Sequence, residues 1–267
     1  MATSGVTTFT TTRDQIIRAS ALEVSAIGLG VTMSAEMLND FAFALNAMIK
    51  HWQGRGLKIW TVKEGTLFPF PGQTRYGAGT GATDHITESW KKTTLSVDEA
   101  SGQTILGVES SDDIINGDQI GIIRVVDARR YVVSSAIETP IDLLSHQEYR
   151  ALPSKASVGS INLVQYDPQR VVGYFNLWNV PAVATELLNF TFWKPVETFT
   201  TGGDNPDLPE EWVNCIKWNL ALEMMGRYPV NGDRRRLIAQ RAADTLVDME
   251  GFSREDTSIR FQPARRR

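Results

Sequence analysis

The chain is poor in the residues on which most site chemistry is built. One cysteine, Cys215, occurs among 267 residues. That excludes an internal disulfide framework and a cysteine-based zinc site, and its place inside an apolar helical pattern marks a buried, inert thiol. Histidine is scarce too: His51, His85 and His146 fall in three different predicted elements, with no motif joining any of them to a nucleophile or a ligand set. His51 ends a predicted helix, where an imidazole favours the helix dipole. No apolar run reaches the roughly 18 residues that a membrane span needs, and the opening MATSGVTTFTTTRDQ has neither an apolar signal core nor a basic leader. The expectation is a protein that is soluble where it is made, with no membrane partner. A formal net charge of -4 argues against a uniformly basic coat for nucleic acid, so any contact with DNA must be local.

What is present is apolar material in two different periods. Hydrophobic residues make up 42% of the chain, enough for one large or two modest cores. Thr12 with Gln15 has capping-box spacing, and Ile17, Ala21 and Val24 follow at helical intervals, which predicts a helix over about 12–28 ended by Gly28 and Gly30. Ser34 caps a second helix with the stripe Leu38, Phe41, Leu45, Met48 and Trp52, closed by Gly54 and Gly56. From Leu57 the period shortens: LKIWTVKEGTLFPF reads as a β-hairpin turning at Glu64-Gly65. Residues 72–88, rich in Gly and Thr, read as a long loop of the kind that has a role at an interface.

Between about 91 and 194, short apolar segments (TTLSV, QTILGV, DQIGIIRVV, RYVVSSAI, SINLVQY, RVVGYFNLW and LNFTFWK) alternate with turn signals at Ser101-Gly102, Asn116-Gly117-Asp118 and Asp167-Pro168-Gln169. They predict a mostly antiparallel β domain with one short helix near Leu143 to Arg150. Asp207 and Glu210 repeat the capping-box spacing ahead of Trp212, Ile216, Leu220 and Met224. After the Asn231-Gly232 turn, Ile238, Ala242, Leu246 and Met249 mark a last helix broken at Gly251. The fold class is α+β: a helical bundle formed by the N- and C-terminal helices, an inserted mostly antiparallel β domain and an extended C-terminal arm. The expected divisions are 1–56 and 201–252 for the bundle, 57–90 for the hairpin and Gly-rich loop, 91–200 for the β domain, and 253–267 for the basic arm.

The candidate chemical motifs each have a plainer use. Gly77, Gly79 and Gly81 in YGAGTGAT lack the Lys-Ser or Lys-Thr and the strand-to-helix context of a phosphate loop, and such glycines also permit close contact with a neighbouring chain. Asp112-Asp113 precedes an Asn-Gly turn, the acidic run Asp204 to Glu211 surrounds a helix start, and neither has calcium-loop spacing. A hydrolase using Glu210 or Asp112 as acid and base is the enzymatic alternative. Seven tryptophans, several within two or three residues of a Pro or Gly, suit assembly surfaces. From Arg227 to the end there are ten arginines against six acidic residues, so the C-terminal end is basic.

Several segments in fixed order carry a resemblance. TTFTTTRDQIIRASAL with LNAMIKHWQGRGLKIWT, then NGDQIGI, then TPIDLLSHQEYRALPSKASVGSINLVQYDPQ with GYFNLWNVP, and finally FTFWKPVETFTTGGDNPDLPEEWVNCIKWNLALEM, span about residues 7–228. Together they resemble the head-to-tail adaptor, or tail accessory, proteins of short-tailed bacteriophages. The family often has a compact Trp-Pro-x-Pro where this chain has Trp178-Asn179-Val180-Pro181. The resemblance implies a virion protein of the neck, made in the cytoplasm of the bacterial host. It would form a homo-oligomeric ring, commonly twelvefold, beneath the portal protein, and contact tail nozzle, tube or fibre proteins below. DNA would pass through the channel without sequence-specific binding. It also implies a C-terminal segment running along the portal, which places Arg260, Phe261, Arg265, Arg266 and Arg267 as candidate portal contacts. Tyr76, Gly77, Gly79 and Trp178 are candidate contacts to a neighbouring subunit or the tail. No catalytic residue, cofactor or metal ligand is expected. A tail-tube or baseplate protein is the structural alternative.

Overall fold

The computed structural model describes residues 9–56, 61–79, 82, 85–87, 115–116, 121–182 and 185–252. The chain is a mixture of helix and sheet. Among the described residues there are five helices, α1 (Arg13–Glu23), α2 (Ala35–Arg55), α3 (His146–Ala151), α4 (Trp212–Met224) and α5 (Gly232–Phe252), together with nine strands. It divides into two compact units, Met1–Trp60 with Val196–Arg267, and Thr61–Pro195. TTLSV, QTILGV, the Ser101-Gly102 turn, Asp112-Asp113 and the arm 253–267 lie outside the described residues.

In the first unit the helix starts follow the local chemistry. Thr12 Oγ1 accepts from Gln15 N while Gln15 Oε1 accepts from Thr12 N, closing the capping box that opens α1. The helix stops at Glu23, short of the expected 28, because Ser25 adopts a left-handed φ of 56° and Ala26 N donates back to Ala21 O. Ser34 Oγ accepts from Met37 N and opens α2. Gly56, at φ 105°, closes it, and Gly54 stays inside the last turn.

Two expectations fail at the other end of the chain. Asp207 and Glu210 do not cap α4: Trp212 N and Val213 N donate to Pro209 O and Glu210 O in a tight turn, and the helix begins at Trp212. The two carboxylates are engaged elsewhere, Asp207 by Glu197 N (3.3 Å) and Glu210 by Phe9 N (2.6 Å). Gly251 does not break α5, which starts at an Asn231 side-chain cap and runs on to Phe252. A helical glycine costs only about 1 kcal/mol and need not end a helix.

Helices α1, α2, α4 and α5 share one core that includes Ile16, Ile17, Phe41, Leu45, Trp52, Trp212, Ile216, Leu220 and Ile238. Trp52 and Trp212 pack in a tilted arrangement with ring centroids 5.7 Å apart. α4 is buried on more than one stripe and packs against the other three, whereas α5 buries only Ile238 and Ala242 fully in 21 residues. Asn219 of α4 ties the pair by donating to Cys215 O (2.9 Å) and Ala242 O (3.2 Å).

The second unit is one sheet. Its strands are β1 (Val62–Leu67), β2 (Arg75–Gly79), β3 (His85–Thr87), β4 (Ile115–Asn116), β5 (Arg124–Val132), β6 (Ile137–Leu143), β7 (Leu163–Asp167), β8 (Val172–Trp178) and β9 (Glu186–Trp193). They lie in the order β2-β8-β7-β6-β5-β9-β1-β3-β4. Every pair is antiparallel except β6 with β7. A parallel pair needs a crossover of about a dozen residues or more, and residues 144–162 supply it. They include α3, opened by a Ser145–Glu148 capping box.

The expected hairpin turn at Glu64-Gly65 is absent. β1 runs straight through it, with Glu64 opposite Thr191 and Gly65 opposite Phe190 of the central strand β9. The long loop expected over 72–88 contains β2 and β3, because β8 offers a partner edge over the whole of Arg75–Gly79. Leu188, Phe190 and Phe192 of β9 face the main core with Val125, Ala128, Phe175 and Leu177. Leu187, on the opposite side, meets Phe68 and Tyr131. Val125 and Ala128 share a face although three residues apart, since a bulge between Val125 and Asp127 takes up the extra residue.

Candidate interaction surfaces

Three glycines shape one end of the sheet. At Gly79, with φ 130°, a Cβ would stand 2.3 Å from Val171 O; at Gly173 it would stand 2.0 Å from Tyr166 Oη; at Gly121, 2.8 Å from Pro195 Cγ. Tyr166 fills the space over Gly173, donating from its hydroxyl to Ile122 O (2.8 Å) and packing at a tilt against Phe175. Burial holds its pKa well above that of an ordinary tyrosine. Beside these close contacts lies an open cleft of about 450 Å³, lined by Gly79, Gly121, Ile123, Pro168, Arg170 and Val171 among others. Its lining mixes Ile, Pro and Val with the polar Gln169 and Arg170.

The four loop candidates are not brought together as exposed contacts. Tyr76 is 1% exposed within β2, and its hydroxyl accepts from Phe70 N and directs its one proton between Phe70 O and Gln73 O, each 3.0 Å away. Its side chain belongs to the core, because the segment expected to be a loop is a strand. Gly77 and Gly79 are buried in the same strand, and Gly79 also lines the cleft. Trp178, at the end of β8, is half-buried and donates from Nε1 to Ser154 O (2.6 Å). Arg260, Phe261, Arg265, Arg266 and Arg267 lie outside the described residues.

The acidic run before α4 is a clamp. Asp204 accepts from the amide and hydroxyl of both Thr200 and Thr201. These bonds, those from Thr201 first, hold its carboxyl well below the usual range. The same loop accepts the first N–H groups of α1, Arg13 N onto Asp204 O (2.8 Å) and Asp14 N onto Gly202 O (3.2 Å). At Gly202 a Cβ would meet the Asp14 carboxylate at 2.2 Å, so a larger residue there would displace that side chain. Glu210 and Asp207 of the same run likewise accept backbone amides, from Phe9 and Glu197. Lys50 donates to Val196 O, and burial lowers its pKa against the raising pull of Asp207.

The helical unit carries a groove of about 370 Å³ along α2 and α4, lined by Phe43, Ala47, His51, Glu223, Met224 and Arg227 with their neighbours. Phe43 stands 72% exposed on its wall, and Asp40 pairs with Arg227 at 3.2 Å. Sequence reasoning overlooked Phe43, although the signal was there: two residues after the core Phe41, a helical side chain points to the opposite side. The loop between α1 and α2 likewise exposes Leu29 and Val31. His51 is exposed at the groove, and His146 is exposed in the first turn of α3. Cys215 is buried in α4, its thiol pushed up to about 11 by desolvation.

Among the described residues no group of three or more His, Cys, Asp or Glu side chains is placed to hold a metal ion. None of the described helices is long and apolar enough to cross a membrane. No protein-family model and no curated protein matches the chain.

Proposed function

We propose that this chain is a structural head-to-tail adaptor of a phage virion and not an enzyme. In this reading it forms a ring beneath the portal, joins the capsid vertex to the tail and surrounds the DNA channel in the neck. The observation that carries the reading is the ordered series of segments from about residue 7 to 228 that resembles the adaptor family of short-tailed phages. A helical unit drawn from both chain ends, with the sheet unit inserted between Trp60 and Val196, is in keeping with it. The shared core of α1, α2, α4 and α5 is read as the bundle that docks on neighbouring copies. The aperiodic segment 253–267 is read as an arm that runs along the portal, with Phe261 as its apolar anchor and Arg260, Arg265, Arg266 and Arg267 on acidic portal surface. Exposed apolar side chains, Phe43 on α2 and Leu29 at 91% exposure in the α1–α2 loop, suit surfaces that become covered on assembly.

The test is the native mass of the purified protein, alone and mixed with the portal ring of the same phage. A complex with one copy per portal subunit, or a comparable multiple, is the expected result, and deleting residues 253–267 should weaken it. Absence of a portal complex, with a ring formed instead on tail-tube or baseplate components, would overturn the reading in favour of a tail protein.

A further inference from the structure

The last turn of α5 stands at one end of the groove along α2 and α4. Phe43, Ala47, His51 and Arg55 follow one another four residues apart along the same side of α2. The first three line the groove, and Arg55, one turn farther on, meets Glu250 of α5 at 3.8 Å. α4 packs against both α2 and α5, so the chain leaves α5 beside the His51 end of the groove. At the other end Asp40 and Arg227 pair at 3.2 Å. Phe252, the last residue of α5, is half-exposed at the point of departure.

The groove is apolar along Phe43, Ala44, Ala47, Met48 and Met224. Its natural occupant is apolar and close at hand, and the chain that follows α5 is both. In residues 253–267 the only large apolar side chains are Ile259 and Phe261. They are two apart, so an extended backbone puts both on one side and Arg260 on the other. The distance is within reach. α2 from Arg55 back to Phe43 is about 18 Å long at roughly 1.5 Å per residue, and the chain from Phe252 to Phe261 extends to about 30 Å at roughly 3.3 Å per residue. The excess suffices for a reversal over residues 253–256. A segment tethered at the end of its own groove meets it at an effective concentration on the order of millimolar, which a second copy in dilute solution does not.

We propose that in the free chain the segment after α5 folds back into the α2–α4 groove, with Ile259 and Phe261 against Phe43, Ala47 and Met224. Arg260, on the outward side, then reaches the rim, where Glu223 is exposed. Arg260 and Phe261 are also the side chains that the adaptor reading offers to the portal, so the fold-back keeps the arm covered until a portal surface displaces it. The contact itself stands apart from that reading; its displacement by portal rests on it.

A reporter thiol tests it. Ala47→Cys places one on the exposed wall of the groove, while the native Cys215 is buried. Its reaction with a thiol reagent is timed in the full chain, in a chain ending at Phe252, and in a full chain carrying Ile259→Ser with Phe261→Ser. Circular dichroism checks that all three fold. The full chain should react about tenfold more slowly than the other two, which corresponds to a segment docked about nine-tenths of the time. The ratio should not change with protein concentration. Equal rates in all three overturn the inference, and so does protection that survives the two serines. Protection that grows with protein concentration assigns the groove to a second copy and also overturns it. Portal rings of the same phage should raise the rate of the full chain to that of the truncated one. Protection that portal rings leave unchanged keeps the fold-back and counts against the portal reading. Portal binding by a chain whose thiol is never protected keeps the portal reading and removes the fold-back.

Discussion

Gly173→Ala isolates a single close approach inside the sheet unit. The glycine lies in β8 with an ordinary backbone conformation, so an alanine there meets no conformational strain, and its effect is steric. The added Cβ would lie 2.0 Å from Tyr166 Oη, 2.6 Å from Cζ and 3.0 Å from Cε2. Contact at ordinary van der Waals separation requires the ring to retreat by more than 1 Å, roughly the gap to a normal carbon contact. The ring can retreat only by giving up its hydrogen bond to Ile122 O and its tilted contact with Phe175, whose ring centroid is 4.9 Å away. Loss of the bond costs about 1 kcal/mol or somewhat more, loss of the aromatic contact about 0.5–1.5 kcal/mol, and residual overpacking about 1 kcal/mol. The expected destabilisation is therefore about 2–4 kcal/mol. Hydrogen–deuterium exchange on peptides covering β7 and β8 reads this unit separately from the helices. A loss of under about 0.5 kcal/mol, the usual range for an uninvolved position, would refute the argument. Tyr166→Leu provides the cross-check: combined with Gly173→Ala it should cost less than the sum of the two single changes by at least about 1 kcal/mol.

Three further outcomes follow from the helical unit. Asp204 has a depressed folded-state pKa, so its contribution to stability is present above the ordinary carboxylate range and is lost as pH falls through the folded value. A carbon-13 titration should find this carboxyl still ionised where the other aspartates have protonated, and Asp204→Asn should flatten the acid limb of a thermal-melting profile. Cys215, buried with its thiol at about 11, should react with a thiol reagent at pH 8 only as fast as the helices open, and labelling at the rate of a free cysteine would contradict its placement. Asn219→Leu should destabilise by about 1 kcal/mol, because it removes the bond that ties α4 to Ala242 O of α5, a carbonyl that keeps its Thr245 Oγ1 donor; a neutral urea-denaturation result would show that this tie contributes nothing.

How far local sequence carried the structure can be judged from particular elements. The starts of α1 and α2 were legible because each depends on a side chain binding a backbone N–H three residues away, as at Thr12 and Ser34; Ser145 and Asn231 open α3 and α5 in the same way. The stripe Phe41, Leu45, Met48 and Trp52 and the alternation Gly173, Phe175 and Leu177 were legible because a buried face repeats with the period of its element. The start of α4 was not. Its would-be caps Asp207 and Glu210 were drawn to Glu197 and Phe9, partners that local spacing does not reveal.

The same division runs through the candidate surfaces. Sequence by itself determined the helix register, the burial of Cys215, the scarcity of ligating side chains and the basic C-terminal end, all of which depend on composition or on residues within one or two turns. Only the tertiary structure decided that Tyr76 is core, that Glu64-Gly65 continues a strand, and that the glycines at 79, 121 and 173 admit a carbonyl, a proline and a tyrosine. Those outcomes depend on which distant backbone arrives alongside. A strand edge or a close approach is a property of two segments at once, and the period of either segment alone does not contain it.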